Sequence, residues 1–385
     1  MGTDGGKACI VGVGQTELSR NSGRSITRLA LEALLAAADD AGIDPTAIDG
    51  VVPYPDSVSA EDVIPVLGSP DIRFTAVAHM GGASSLAGIR LAALAVENGQ
   101  ADYVAVFLAR NASSVSRVDT RVRQLAGQAY RRELEYPHGM NTPAQWYALA
   151  CRRHMHEFGT TREALGTVAL TMRANAQRNP GAQMYGRELT MEQYASSQVI
   201  ADPYLKFDCC LETDGAAAVI VAREDRARNA SGPVVRIEGI AEGHPDSADD
   251  MASRWDVFNT GLTKAAPRAF GLAGMAPSDV DIAFIYDCFT FEVIQQLEEA
   301  GFCGRGEGGP FVLDGNIAPD GNLPVNPHGG LLSEGHLTGM NHVVEAVRQL
   351  RGQAPDGRQL ARAGTAAVTG WGDMGDGALA LLARA

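Results

Sequence analysis

AGIDPTAIDGVVPY (Ala41–Tyr54) recurs in the second half of the chain as AGMAPSDVDIAFIY (Ala273–Tyr286), with each position shifted by 232 residues. Both copies begin with an Ala-Gly pair that is typical of a helix end, because glycine readily adopts the left-handed conformation of a C-cap. A proline turn and an apolar strand follow in each. A second pair of matches, DGAAAVIVAR (Asp214–Arg223) and DGALALLAR (Asp376–Arg384), stands in the same order. Either match alone could arise by chance, but two in order predict a duplicated α/β chain.

The two copies differ in length. The first has about 70 more residues between its matched segments than the second, so we expect an insertion within about residues 111–203. Apolar spacing predicts helices in it near Ala144–Phe158 and Arg162–Arg178. We expect the two halves at residues 1–225 and 232–385. Alternating strands and helices favour a mainly parallel sheet covered on both faces, and the duplication favours stacked layers that share a central helix pair.

Composition argues against several classes of protein. The chain has 46 acidic and 32 basic residues, a formal net charge of −14, which argues against a nucleic-acid or anionic-membrane partner. No apolar run approaches the ~18 residues of a membrane span, and the N-terminus lacks a basic region followed by an apolar stretch. A cytoplasmic protein is therefore expected.

Neither a metal nor a nucleotide cofactor is expected from the motifs. The six cysteines form no C-x-x-C pair, and Gly12-Val-Gly14 lacks the third glycine of a dinucleotide loop. Cys151, His154 and His156 share one helical stretch, but positions i and i+5 face apart on a helix. We expect these three to be surface residues rather than metal ligands.

Three loops stand where strands of the α/β pattern end, which is where such sheets place their sites. They are HMGGASSLAGI (His79–Ile89), YDCFT (Tyr286–Thr290) and NPHGGLLSEGHLTGMN (Asn326–Asn341). A glycine turn that opens a helix aims backbone N–H groups at an anion or a carbonyl oxygen. The first and third loops are thus candidates for substrate binding, through His79, Gly82, Ala83, His328 and Gly330.

The D-C-F motif, the N-P-x-G-G…G-H-x-x-G loop and CCLETDGAAAVIV (Cys209–Val221) together resemble the thiolase superfamily. The likeness covers essentially the whole chain and is strongest to the sterol-carrier-protein and lipid-transfer-protein type. It implies an α/β thiolase fold: a duplicated five-layer αβαβα arrangement with a loop domain inserted in the first half.

Departures from the family pattern bear on the reaction. Thiolases carry an acyl-accepting cysteine where this chain has Gly82, and Thr369 heads the run in which most of them have a second catalytic cysteine. Cys288 matches the cysteine of an H-D-C-F motif whose histidine is Tyr286 here. The thiolase-like aldolases of steroid side-chain breakdown also lack the first cysteine and carry Y-D-x-F-T. Their second tyrosine falls at His336.

The resemblance therefore implies a retro-aldolase that cleaves a 3-hydroxyacyl-CoA, such as a steroid side chain, into a ketone or aldehyde and a short acyl-CoA. No cofactor is implied beyond the CoA thioester, which is the substrate. His336 is expected to be the base, since the ordinary pKa of histidine is near 6.5, and Tyr286 the proton donor, although the reverse assignment stays open. The missing side chain at Gly82 is expected to leave room for a branched C3.

Two neighbours of Tyr286 have two interpretations each. Cys288 either assists catalysis or is small packing material. Asp287 either orients a substrate group or caps the next helix, and the cap is favoured. The adjacent pair Cys209-Cys210 is expected to pack inside the fold.

Two other functions remain open: a sterol-carrier-protein-type acyltransferase, and a non-catalytic subunit that binds acyl-CoA or lipid. The resemblance also implies a homodimer, together with a small OB-fold, zinc-ribbon partner in a heterotetramer. The basic run at Arg117–Arg132 would meet a CoA phosphate, meet an acidic partner, or form a solvated face.

Overall fold

The computed structural model describes residues 6–115, 117, 131–227, 230, 232–246, 254–355, 357–372 and 375–385. Its strands are β1 (Ala8–Gln15), β2 (Gly50–Pro53), β3 (Phe74–Thr75), β4 (Tyr103–Asn111), β5 (Val199–Ala201), β6 (Tyr204–Leu205), β7 (Asp214–Arg223), β8 (Val235–Gly243), β9 (Ile282–Phe284), β10 (Thr365–Trp371) and β11 (Gly377–Arg384). Its α-helices are α1 (Ile26–Ala41), α2 (Ala60–Leu67), α3 (Ser84–Glu97), α4 (Pro143–Phe158), α5 (Arg162–Ala176), α6 (Met191–Ala195), α7 (Glu224–Ala227), α8 (Gly261–Ala273), α9 (Thr290–Glu299), α10 (Gly308–Leu313), α11 (Gly330–Ser333) and α12 (Met340–Arg351).

The sequence repeat is a structural repeat. Helices α1 and α8 end at Gly42 and Gly274, whose φ angles of 69° and 66° are the left-handed values of a C-cap. A short 3-10 turn follows each, and then β2 or β9 begins at the equivalent position. The predicted order of helix, glycine cap, proline turn and strand is confirmed in both halves.

Nine of the described strands form one mixed sheet in the order β3-β2-β4-β7-β1-β8-β11-β10-β9. The prediction of a mainly parallel sheet is wrong. Within this sheet only β2–β3, β2–β4 and β9–β10 pair in parallel. Each half ends in an Asp-Gly strand, β7 or β11, that runs antiparallel to both of its neighbours.

The helices cover both faces of the sheet, and helices and strands together form the layers of the fold. Alternate side chains of the first-half strands pack on α1 in one core cluster. The opposite faces of both halves share a second cluster with α3 and α12, and α8 covers the outer face of the second half. The halves join through only two residue pairs of β1 and β8. This is the expected five-layer αβαβα arrangement.

The insertion begins in the first half but packs on the second. Its predicted helices are present as α4 and α5, and α5 packs against α9, α10 and α11. Cys151 and His154 are buried, so the expectation that they lie at the surface is wrong, whereas His156 is exposed. His154 bonds Thr160 at 2.7 Å and Glu298 at 3.1 Å because α4 packs against α9. Most of the basic run at 117–132 lies outside the described residues.

Two kinds of feature are absent from the described part of the chain. No helix there has the length and apolar character needed to cross a membrane. No group of three or more His, Cys, Asp or Glu side chains in the described ranges could hold a metal ion.

Candidate active site

A cavity of about 710 Å³ lies at the carboxyl ends of β2, β4, β9 and β10. Its wall includes Tyr54 after β2, Arg110 in β4, Tyr286 after β9 and Trp371 at the end of β10. The two halves thus contribute equivalent strand ends to one space. Of the residues predicted from sequence, four line it: Gly82, Tyr286, Cys288 and His336.

Tyr286 and His336 face each other in this cavity. The Tyr286 hydroxyl lies 3.2 Å from Nε2 of His336. The backbone of Tyr286 is fixed on both sides, since its N–H donates to Oγ1 of Thr369 and its carbonyl accepts from Gln296. Thr369 therefore anchors the tyrosine from the position at which the resemblance places a second cysteine. The N–H of His336 donates to Thr213 at 2.8 Å.

Burial controls the ionisation of the groups beside this pair. Tyr286 is only 4% exposed. Burial raises its pKa well above the ordinary value, and the neighbouring Cys288 and Tyr54 act in the same direction while Arg110 opposes them. Burial likewise raises the pKa of the Cys288 thiol. The phenol therefore stays protonated, and Cys288 is a poor source of the thiolate that nucleophilic catalysis needs.

The space beside Gly82 is not empty. A Cβ atom at this position would stand well under 3.0 Å from the hydroxyl oxygen of Tyr286 and from the carbonyl oxygen of Trp371. The expectation that the missing side chain leaves room for a branched substrate carbon is therefore wrong. The phenol of Tyr286 takes that room. Ala83, next in sequence, is fully buried and packs against Gly370 rather than on the cavity wall.

Asp287, His328 and Gly330 lie beneath the cavity in a buried polar network. Asp287 accepts from the backbone N–H groups of Leu331 (2.8 Å) and Leu332 (3.2 Å), so it caps α11. The favoured interpretation, a cap on the next helix α9, is wrong, and the N-cap residue of α9, Phe289, makes no side-chain cap bond.

Two further contacts complete this network. A Cβ on Gly330 would overlap the Asp287 carboxylate, and its φ is +63°, so glycine is required there. His328 is fully buried, with its Nε2 2.9 Å from Nδ1 of His342. His79 is exposed and lies outside the cavity wall.

Sequence reasoning missed several residues of the cavity wall, and three of them lie close to the Tyr286–His336 pair or to the Gly82 turn. Tyr54 is the repeat equivalent of Tyr286, so the repeat itself contained that signal. Arg110 had no such signal. Cys210 lies with its Sγ 3.6 Å from Nδ1 of His336. Both Cys209 and Cys210 pack against the core as expected, and they also line the cavity, which was not expected. They reach it because Cys210 pairs through its backbone with Cys288.

Two family models cover most of the chain: "Thiolase, N-terminal domain" over residues 8–225 and "Thiolase C-terminal domain-like" over residues 243–383. The chain is 40% identical to the "17-hydroxy-3-oxo-4-pregnene-20-carboxyl-CoA lyase" of Mycobacterium tuberculosis, over 90% of this chain and 92% of that protein. It is also 40% identical to the "Steroid side-chain-cleaving aldolase" of Thermomonospora curvata, over 90% and 91%.

An acetyl-CoA acetyltransferase of Methanothermobacter thermautotrophicus is 34% identical over 90% of this chain and 91% of its own. The solved structure of an "Ltp2-ChsH2(DUF35) aldolase" superposes with a TM-score of 0.92 at 37% identity, covering 99% of this chain and 98% of that one. On these matches and on its duplicated layers, this chain belongs to the thiolase superfamily.

Proposed function

We propose that this protein is a thiolase-fold lyase that breaks the C2–C3 bond of a 3-hydroxyacyl-CoA and releases a ketone or aldehyde and a shorter acyl-CoA. One observation carries the proposal. The Tyr286 hydroxyl fills the space that a side chain at position 82 would need, and it contacts His336. A proton-transfer pair thus stands where thiolases carry their acyl-accepting cysteine. Such a pair supports retro-aldol cleavage, which needs no covalent intermediate.

The proposed roles of Tyr286 and His336 follow from the protonation state of the phenol. Burial keeps Tyr286 neutral, so it is the proton donor that orients the substrate, and His336 is the base that takes the proton of the 3-hydroxyl. As the C–O⁻ group becomes a carbonyl, the electrons of the C2–C3 bond move onto C2 and the thioester oxygen. Protonation of C2 then gives the short acyl-CoA. A positioned acid or base of this kind contributes roughly 10²–10⁴ in rate.

The cavity wall supports a large anionic substrate with an apolar part. Among its described residues the side chains of the insertion are largely apolar, including Ala169, Met184, Leu189 and Ile200. Cationic side chains line it as well, although the whole chain is acidic: Arg20, Arg117, Arg173, Arg187 and Lys206. Local positive charge attracts the phosphates of CoA. The names of the two relatives that are 40% identical support a steroid side chain as the acyl group.

Assembly is part of the proposal. The name of the structural relative joins two components, Ltp2 and ChsH2, which supports a partner subunit for this chain. We propose that this partner is the small OB-fold, zinc-ribbon protein implied by the sequence resemblance, in a heterotetramer. The edge strand β3 leaves one side of the sheet unpaired among the described strands. An exposed edge supports a homodimer formed through the first half. We place this enzyme in the cytoplasm.

The test is to incubate the purified protein with 3-hydroxyacyl-CoAs and to follow ketone and shortened acyl-CoA by mass spectrometry. Tyr286→Phe removes only the hydroxyl, so turnover should fall by roughly 10²–10⁴ while the melting temperature stays unchanged. Tyr185→Phe, at a tyrosine that is 50% exposed, is the matched control and should behave as wild type.

Two results would reject the proposal. Near-normal turnover of Tyr286→Phe would remove the phenol from the mechanism. A thioester trapped between the polypeptide and its substrate would favour the acyltransferase function instead.

A further inference from the structure

Arg110 is a buried arginine whose side chain has no polar partner among the described residues. It is 8% exposed and lines the cavity, with its guanidinium carbon 5.0 Å from the centre of the Tyr54 ring. Within the described ranges the guanidinium makes neither a hydrogen bond nor an ion pair. Other buried arginines differ: Arg358 binds both carboxylate oxygens of Glu345, and Arg351 binds Asp40 and a backbone carbonyl.

The guanidinium borders the cavity, so its N–H donors face the space that a substrate would occupy and have no protein acceptor among the described residues. A guanidinium presents five donors in a planar fork that matches an oxygen anion. Since the Arg110 side chain borders the cavity, a bound substrate can supply the missing acceptor. The chemistry that fits is a negatively charged oxygen at the reacting end of the cavity.

The surroundings of Arg110 indicate which oxygen this is. Its guanidinium lies over Tyr54, whose hydroxyl donates to the carbonyl of Gly81 at 2.6 Å. This contact places Arg110 near the Gly81-Gly82 turn, which lines the cavity and is expected from sequence to aim backbone N–H groups at an anion or a carbonyl oxygen of the substrate. Its charge also lowers the pKa of Tyr286 against the effect of burial, so it lies within electrostatic range of the reacting groups.

We propose that Arg110 binds the enolate oxygen that forms on the thioester when the C2–C3 bond breaks. In this step the 3-hydroxyl proton goes to the base, C3 becomes a carbonyl, and the bond electrons move through C2 to the thioester oxygen beside Arg110. A proton delivered to C2 then restores the neutral thioester. The inference rests on the proposed function, because the carbon–carbon cleavage is the step that creates this charge in the reaction.

The experiment separates enolate formation from cleavage. The full-length protein is incubated with acetyl-CoA or propionyl-CoA in D₂O, and deuterium incorporation at C2 is followed by mass spectrometry, next to steady-state cleavage of a 3-hydroxyacyl-CoA. Arg110→Gln should lower both C2 exchange and kcat by about 10²–10³, the usual effect of losing one oxyanion donor. KM should change little. Arg110→Lys keeps the charge without the fork and should show a smaller loss.

Arg28→Gln, on the exposed face of α1, is the control and should match wild type in every assay. C2 exchange within twofold of wild type in Arg110→Gln would overturn the inference. A raised KM with intact exchange would also overturn it, because the arginine would then hold the ketone-forming fragment. A wild-type protein that cleaves no 3-hydroxyacyl-CoA would instead refute the proposed function. If Arg110→Gln melts at a lower temperature than wild type, the inference is tested instead by measuring the C2 deuterium exchange of Arg110→Lys.

Discussion

Gly82→Ala tests whether the phenol of Tyr286 occupies the position of a lost side chain. The added methyl would stand well under 3.0 Å from the Tyr286 hydroxyl and the Trp371 carbonyl oxygen. Ordinary contacts begin near 3.5 Å. The Trp371 oxygen belongs to the backbone of β10 and moves little, so the phenol must retreat by about 1 Å from its position beside His336. A misplacement of about 1 Å costs roughly 10²-fold in rate, and overpacking costs about 1–3 kcal/mol in stability.

We therefore expect Gly82→Ala to lower kcat about 100-fold and the free energy of unfolding by about 1–3 kcal/mol, measured by cleavage assays and urea denaturation. Gly271→Ala is the control, because a Cβ there meets nothing within 4 Å. Gly82→Cys has the same overlap and should form no acyl-enzyme by intact-mass analysis. Wild-type kcat in Gly82→Ala would refute the reasoning, since it would mean that the tyrosine does not need this space.

Three further predictions concern buried groups. Cys288→Ala should keep the kcat of cleavage within about fivefold of wild type, because burial holds the thiol protonated. A roughly 10³-fold loss of kcat would instead show that Cys288 is catalytic. Asp287→Ala should lower the free energy of unfolding by about 2–4 kcal/mol, since two N–H groups of α11 lose their acceptor; unchanged thermal stability would contradict this. Burial raises the pKa of Glu292 from 4.5 to about 8, so its contribution to stability is full below pH 4.5 and is lost as the pH rises through 8. Glu292→Gln should weaken the loss of stability between pH 5 and pH 8 in thermal unfolding, and an unchanged pH dependence would contradict it.

The layers of the fold could be predicted because they depend on local patterns. Helical periodicity located α4 and α5, and the repeat paired the two halves. Strand direction was not predictable in the same way. The order of helices and strands does not specify whether the Asp-Gly strands β7 and β11 lie parallel or antiparallel to their neighbours. The direction of each strand depends on the end of the sheet to which the preceding connecting segment brings the chain back.

The site could be predicted as a set of loops but not as a set of contacts. Tyr286, Cys288 and His336 were found from motifs, and all three line the cavity. The filled space beside Gly82 was missed because the tyrosine that fills it lies about 200 residues away in the sequence. Arg110 was missed for a different reason. An arginine in a strand becomes informative only when burial and the lack of a partner are known.

Duplication placed a tyrosine at both equivalent strand ends, yet the two phenols cannot do the same chemistry. The Tyr54 hydroxyl donates to the carbonyl of Gly81 at 2.6 Å, so its proton is committed to the backbone. The Tyr286 hydroxyl meets an imidazole nitrogen of His336 at 3.2 Å, where a proton can move. The asymmetry arises from the loop that each phenol faces, since a carbonyl can only accept while an imidazole can exchange its proton. In the proposed mechanism the second half therefore provides the reactive pair, and the first half provides its support. Restoring acyl transfer would require changes in both, because a cysteine at Gly82 and the phenol of Tyr286 compete for the same volume.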